Sequence, residues 1–254
     1  MQISAVEGWM ERRLMIHYRV DAGVLKAMLP APFRPRLVDG YGIAGVDLIR
    51  QRQMRIKGFP RKVGMNSDLA LHRFSVEWSE MGRTRTGVYI PRRETSLPIH
   101  VIAGGRLYPG IYHLAKFRSR EKNGKYAIKM SGNSDTSVAI QAKVSDYFPF
   151  ESVFREVEYA STFFRKEAIG YTPRYQLSIF DGLRLHMPRW QVTPMHVSQV
   201  KVSFFENPAI FPPGSIYFDH ALLVENVEYE WRRVDQLIAP RPIIWERLVG
   251  DQLV

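Results

Sequence analysis

Val, Ile, Phe and Tyr gather in short segments along the chain, and Pro and Gly punctuate the stretches between them. Short apolar segments between breakers are the pattern of β-strands. Strand composition is found at Arg13 to Val20, Ile43 to Ile49, Leu69 to Trp78, Gly87 to Ile90, Ile111 to Arg118, Tyr126 to Met130, Val138 to Val144, Gln176 to Ile179 and Val197 to Phe205. These segments and the turns between them predict a closed or strongly curved antiparallel sheet. Two segments carry a helical spacing instead. Asp21 is placed to cap a short helix in which Val24, Leu25, Met28 and Leu29 share a face and which Pro30 ends. The second covers Glu151 to Lys166, with Val153, Val157, Ala160 and Phe164 on its apolar side.

No internal repeat, low-complexity tract or linker divides the chain, so a single domain over residues 1–254 is expected. Residues 240–254, with Ile244, Trp245, Leu248 and Val249 after two prolines, read as a segment that docks on the body or on a second subunit.

Composition narrows the class. With 254 residues, 45% hydrophobic and 24% charged, the chain can bury a substantial core. No apolar run approaches the ~18 residues of a membrane span, and Met1 to Arg13 lacks the apolar centre of a signal peptide. A soluble, cytoplasmic protein without membrane contact is expected. The absence of cysteine excludes disulfides, thiolate nucleophiles and thiolate metal sites. A net charge of +11 favours anions without naming one. The densest basic run, Arg50 to Lys62, reads as a solvated loop flank, and no nucleic-acid-binding signature accompanies it, so a nucleic-acid partner is not expected.

Three stretches carry a more specific signal. The first is Tyr18-Arg19-Val20-Asp21 with Leu25-Lys26 and Leu29-Pro30-Ala31-Pro32. The second is Gly104-Gly105-Arg106, followed by Tyr108-Pro109-Gly110 and, seven residues after the arginine, by His113. The third is Leu185 to Pro194. Together with the surroundings of Asn66 they resemble the acetoacetate decarboxylase-like superfamily, most closely its branch without the catalytic lysine, over roughly residues 9 to 235. The resemblance implies an α+β, mostly antiparallel β fold: a curved sheet closing into a cone or barrel around a small-ligand pocket, with a few outer helices. It also implies a homo-oligomer.

In the decarboxylases a lysine at the position matching His113 forms a Schiff base, and such a lysine needs a lowered pKa; acetoacetate decarboxylase is the standard example of one so activated. Imidazole cannot form that imine, and Leu114 supplies no neighbouring charge. Three readings of His113 stay open: a general acid or base, a ligand contact, or a core histidine. Lys116, three residues on, points to the opposite face of a regular strand, so it enters the site only through a bulge. Arg106 is the expected anion anchor, since guanidinium grips a carboxylate through two parallel hydrogen bonds. Arg12 and Arg13 fall where the decarboxylases carry a pocket arginine, and Asn66 and Asp68 near their pocket glutamate. Tyr112, Tyr108 and Trp190 are aromatic pocket candidates, with ordinary core packing the alternative.

The seven histidines show no metal-ligand spacing, and neither a phosphate loop nor a nucleophile elbow is present; no metal or cofactor is expected. The expected function is binding of a small organic carboxylate or keto compound, with lyase-type chemistry that uses no Schiff base. A non-catalytic ligand-binding protein is the alternative, and an anion-surface or nucleic-acid binder a further one.

Overall fold

The computed structural model describes residues 3–105, 108–133, 136–174 and 179–239. Its strands are β1 (Ala5–Asp21), β2 (Arg34–Pro35), β3 (Leu37–Val38), β4 (Tyr41–Ile56), β5 (Met65–Glu80), β6 (Arg83–Thr95) and β7 (His113–Lys122). They continue as β8 (Lys125–Gly132), β9 (Ser137–Val144), β10 (Ile169–Pro173), β11 (Ile179–His186), β12 (Thr193–Val202) and β13 (Ile216–Ile238). Three helices interrupt them: α1 (Ala22–Met28), α2 (Pro98–Ala103) and α3 (Val157–Arg165).

The sheet closes on itself. Pairing runs β6-β7-β8-β9-β12-β13-β1-β4-β5 and returns to β6. A second circuit leaves β6 through β10 and β11 and rejoins at β13. Two long strands make both circuits possible by taking two partners in succession. β6 pairs with β10 at residues 88–89 and with β7 at 94–95, and β13 pairs with β12 at 221–223 and with β11 from 230 onward. Both pairings of β6 outside β5 are parallel, so the sheet is mixed where the composition suggested an antiparallel one, while most pairs are antiparallel.

The shared strands are covered on both faces, and their sequences show it. In β1, Leu14 and Ile16 join one buried cluster with Val46, Leu48 and Ala70, while Met15 faces a second with Ile49, Leu69 and Leu71. Strands buried on both sides read as continuous apolar runs.

α1 forms as its sequence predicts: the Asp21 carboxylate accepts hydrogen bonds from Gly23 and Val24 N–H at 2.9 Å, and the chain turns extended at Leu29. The helix expected over Glu151 to Lys166 is confined to α3. Arg155 adopts φ 61° and Glu156 is extended, while Ser152 and Val153 are held by the Asp219 carboxylate, so the first turns never form. Of the strand expected at Gln176 to Ile179, Ile179 alone is described, and the segment 240–254 lies outside the described residues. β10, β13 and α2 have no counterpart in the predicted elements. Among the described residues no helix is long and apolar enough to cross a membrane.

Candidate functional site

An apolar cavity of about 260 Å³ opens between the sheet and α2. β4 and β5 supply its floor through Gln51, Met54, Leu69 and Leu71, and β6 supplies Arg93. α2 contributes Ile99, His100 and Ala103, the loop after it Gly104, Tyr108 and Tyr112, and the far wall holds Leu183 and Trp231. No aspartate, glutamate or lysine is among the described lining residues.

Register places Arg93. Leu71 pairs with it across β5 and β6, so Arg93 shares the side of Leu71, while Arg92 and Glu94 alternate to the other. Its side chain is 3% exposed. Nη1 donates to the Pro109 carbonyl at 3.2 Å and to the Tyr112 hydroxyl at 3.3 Å, the guanidinium lies 5.5 Å from the Tyr112 ring centroid, and Nε has no partner among the described residues. Among the described residues no carboxylate pairs with it. A buried cation without an anion costs several kcal/mol that an incoming carboxylate would offset.

Gly110 explains part of the Tyr108-Pro109-Gly110 motif. Its φ of +106° suits glycine, and a Cβ there would stand 2.2 Å from Arg93 Nη1. Any larger residue would drive the guanidinium out of its place.

Two further groups define the cavity's chemistry. His100 Nδ1 lies 2.8 Å from Thr95 Oγ1, which accepts the Leu97 N–H at 3.1 Å. Burial pushes the His100 pKa down to about 4, so the imidazole is neutral at pH 7. Burial holds the Tyr108 hydroxyl well above its ordinary range, Tyr112 and Tyr229 add to this, and Arg93 opposes it. Among the described residues Tyr108 is therefore a neutral phenol without a hydrogen-bond partner, as the Gln51 Oε1 acceptor is without a donor. The site offers an anion contact, a neutral imidazole and a neutral phenol within apolar walls.

The residues expected from the sequence are dispersed over the molecule. Tyr112 and Tyr108 line the cavity; Arg106 lies outside the described residues, although Gly104 and Tyr108 on either side of it are in the wall. His113, exposed at the start of β7, is not in the lining and stands beside Arg92 and Glu94. Burial of its inner edge and the Arg92 charge lower its pKa, against Glu94. Lys116 is exposed, and the β7–β8 register runs unbroken from Ala115 to Lys122, so no bulge turns it inward.

Arg12 and Asp68 come together elsewhere, in a cluster with Arg50 and Glu121. Arg12 is 1% exposed and pairs with Glu121 and, at 3.5 Å, with Asp68, while Arg50 reaches both acids at 3.0 Å. Two cations balance two anions there. Asn66 stands in β5 rather than in a turn, and its Oδ1 accepts the N–H of Gln53 on the paired β4 at 3.1 Å. Trp190 donates to Ser161 Oγ at 2.9 Å, pinning α3. Arg93, Gln51 and His100 were not anticipated. The nearest signal was Gly110, whose need for space points to a bulky neighbour.

Arg13 belongs to a third group beneath α3. It pairs with Asp47 at 2.6 Å, Arg73 bridges Asp47 at 2.9 Å and Glu167 at 3.1 Å, and Arg36 reaches Glu167 at 3.3 Å. His17 Nε2 lies 2.5 Å from Arg73 Nη2, stacks 3.9 Å from the Phe164 ring, and neighbours His220, which is 2.6 Å from Asp219. Burial first, then His220, Arg73 and Arg13, keep the His17 pKa well below 6.5, and burial outweighs Asp219 at His220.

Depressed histidine pKa values stabilise the fold above the unfolded value near 6.5 and lose that contribution as pH falls. Unfolding free energy is expected to fall as pH drops below about 6.5, with both histidines contributing to the loss. Glu167, raised by burial against Arg73 and Arg36, works in the other direction. Urea unfolding across that window checks the sign, and stability that rises on acidification contradicts it.

The fold is shared with solved structures. An acetoacetate decarboxylase-like enzyme from Sphingomonas wittichii RW1 superposes with a TM-score of 0.59 at 12% identity, covering 94% of each chain. Acetoacetate decarboxylase from Legionella pneumophila gives 0.59 at 10% identity, covering 94% of this chain and 89% of that one. The enduracididine biosynthesis enzyme MppR, complexed with pyruvate, gives 0.57 at 10% identity over 94% and 91%. These likenesses establish the acetoacetate decarboxylase-like fold. The family model DUF2071, described as an uncharacterized conserved protein, matches residues 8–222. No curated protein sequence matches the chain.

Proposed function

Because the chain belongs to the DUF2071 family and has the acetoacetate decarboxylase-like fold, we propose that its apolar cavity binds a small organic carboxylate or keto compound. Arg93 holds the carboxylate in this reading, and the observation that carries it is a buried guanidinium on the cavity wall without a carboxylate partner among the described residues. Arg106, which follows Gly104-Gly105 and precedes Tyr108 in the sequence, is proposed as a second anchor. The pyruvate complex of an enzyme with the same fold supports a ligand of this size and class.

The chemistry proposed for the site is lyase-type and proceeds without an imine. When a β-keto acid loses CO2, the C–C bond breaks and its electron pair passes to the ketone oxygen as an enolate. Tyr108 can donate a hydrogen bond to that oxygen, and His100 can relay the proton that returns to carbon. The absence of lysine from the described lining and the imidazole at position 113 both favour this route over a Schiff base.

Incubation with acetoacetate or pyruvate followed by borohydride is expected to leave the protein mass unchanged, while acetoacetate raises the melting temperature and is consumed with release of CO2. A reduced adduct on one lysine would overturn the imine-free route. Stabilisation without turnover would leave a ligand-binding protein and remove the lyase step.

A further inference from the structure

The chain's positive charge is concentrated on one face of the sheet. On β7, Lys116, Arg118, Arg120 and Lys122 are exposed and alternate with residues directed to the other side, among them the buried Ala115. Lys125 and Lys129 continue the face on β8, Lys143 on β9, and Lys201 with His196 on β12. The register aligns them: Arg118 faces Lys129, Lys122 faces Lys125, Lys125 faces Lys143, and Lys143 faces His196. A hydrogen bond from Gln141 to Gln199 at 2.7 Å ties β9 to β12 on the same side.

Eight of the chain's 36 lysines and arginines stand here, which is most of the net +11, and no aspartate or glutamate lies among the described outward positions. None of the eight makes an ion pair among the described residues. The run Arg50 to Lys62 is the opposite case. Arg50 is paired with Asp68 and Glu121, Arg52 with Glu11, Arg55 with Glu7, Lys57 with Glu230 and Arg61 with Glu228. Five of the six cations in the densest cluster of the sequence are paired, and the lysines and arginines of four strands form an unpaired field.

The geometry of this field suits a polyanion. Along one strand, cations two residues apart are about 6.8 Å from one another, and neighbouring strands lie about 4.8 Å apart. Like charges opposite one another destabilise a sheet, a cost that rows of phosphate would offset. An open groove of about 690 Å³ runs among Arg120, Lys122, Lys125, Lys143 and His196. The other outward residues, such as Ala127, Ser131, Ala139 and Gln141, are small or uncharged, and Leu114 at one corner is the one large apolar group among them. The face therefore lacks the apolar wedge of a bilayer-binding surface and the aromatic platform that stacks unpaired bases. A second copy of the same face would be repelled.

We propose that this face binds the phosphate backbone of a nucleic-acid duplex, through charge and without reading bases. This site is separate from the apolar cavity and does not depend on the keto-acid reading. The test is fluorescence anisotropy with labelled DNA and RNA duplexes of about 20 base pairs, titrated from about 50 to 200 mM salt. Contact with four phosphates gives a log–log salt slope of about −3.6, and more contacts a steeper one. The variant Arg118→Glu/Lys129→Glu/Lys143→Glu is expected to bind at least about tenfold more weakly with a shallower slope. The control Lys26→Glu/Lys62→Glu/Arg83→Glu changes net charge equally at exposed positions elsewhere and is expected to stay within about twofold of wild type. Absence of duplex binding, equal losses in the two variants, or tighter association with phosphatidylserine vesicles than with either duplex would overturn the proposal.

Discussion

Replacing Arg93 by methionine is expected to weaken binding of acetoacetate or pyruvate at least tenfold, with little change in the melting temperature. Charge-assisted hydrogen bonds are worth about 1.5–3 kcal/mol, which corresponds to roughly 10- to 150-fold in affinity. The stability side follows from what Arg93 touches. It donates to the Pro109 carbonyl and the Tyr112 hydroxyl and holds no carboxylate among the described residues, so its removal strands no buried anion. Methionine fills a similar volume in an apolar wall and removes the cost of burying an unpaired cation. Calorimetric titration of wild type, Arg93→Met and Arg93→Lys separates the effects. Lysine should retain part of the affinity as a point charge without the bidentate fork. Unchanged acid binding by Arg93→Met would remove this residue as the anchor and leave Arg106 to carry the role.

The same substitution at Arg73 is expected to do the reverse: a large loss of stability with no direct effect on the cavity. Arg73 is fully buried and bridges Asp47 and Glu167, which are themselves buried. Burial pushes the Asp47 carboxyl up, yet Arg13 and Arg73 together hold it below its ordinary value, so it is ionised at neutral pH. Removing one partner of a buried charge group costs about 3–5 kcal/mol, and Arg13 and Arg36 keep the loss near about 3. For a chain of this size that lowers the melting temperature by about 6–12 °C. Differential scanning calorimetry of Arg73→Met against Arg93→Met measures the contrast. Equal melting temperatures for the two variants would show that the Asp47 and Glu167 pairs contribute nothing net.

Local rules were readable where they act over a few residues. Asp21 capping α1 and Pro30 following it needed only the neighbouring sequence. Both Tyr108 and Tyr112 stand in the cavity wall, within a motif that the resemblance singled out. The rest depends on pairing. β13, with Val227, Tyr229 and Trp231 separated by glutamates, alternates clearly, but its polar half masks a strand of 23 residues. The parallel contacts of β6 join segments with no local signal for each other. Arg93 sits in Pro91-Arg92-Arg93-Glu94, which reads as an ordinary charged stretch. Only the pairing of Leu71 with Arg93 separates it from its neighbours and turns it toward the cavity. Charge behaved in the same way: counted along the chain it points to Arg50 to Lys62, and counted across strands to β7, β8, β9 and β12.

The placement of a keto acid in the crystal tests the central claim most directly. The protein co-crystallised with acetoacetate or pyruvate is predicted to show the ligand in the cavity beneath α2, its carboxylate about 3 Å from the Arg93 guanidinium and its keto oxygen toward Tyr108. A ligand seated at the Arg12–Glu121 cluster, beside His113, or covalently on a lysine, with the cavity left empty, would contradict it.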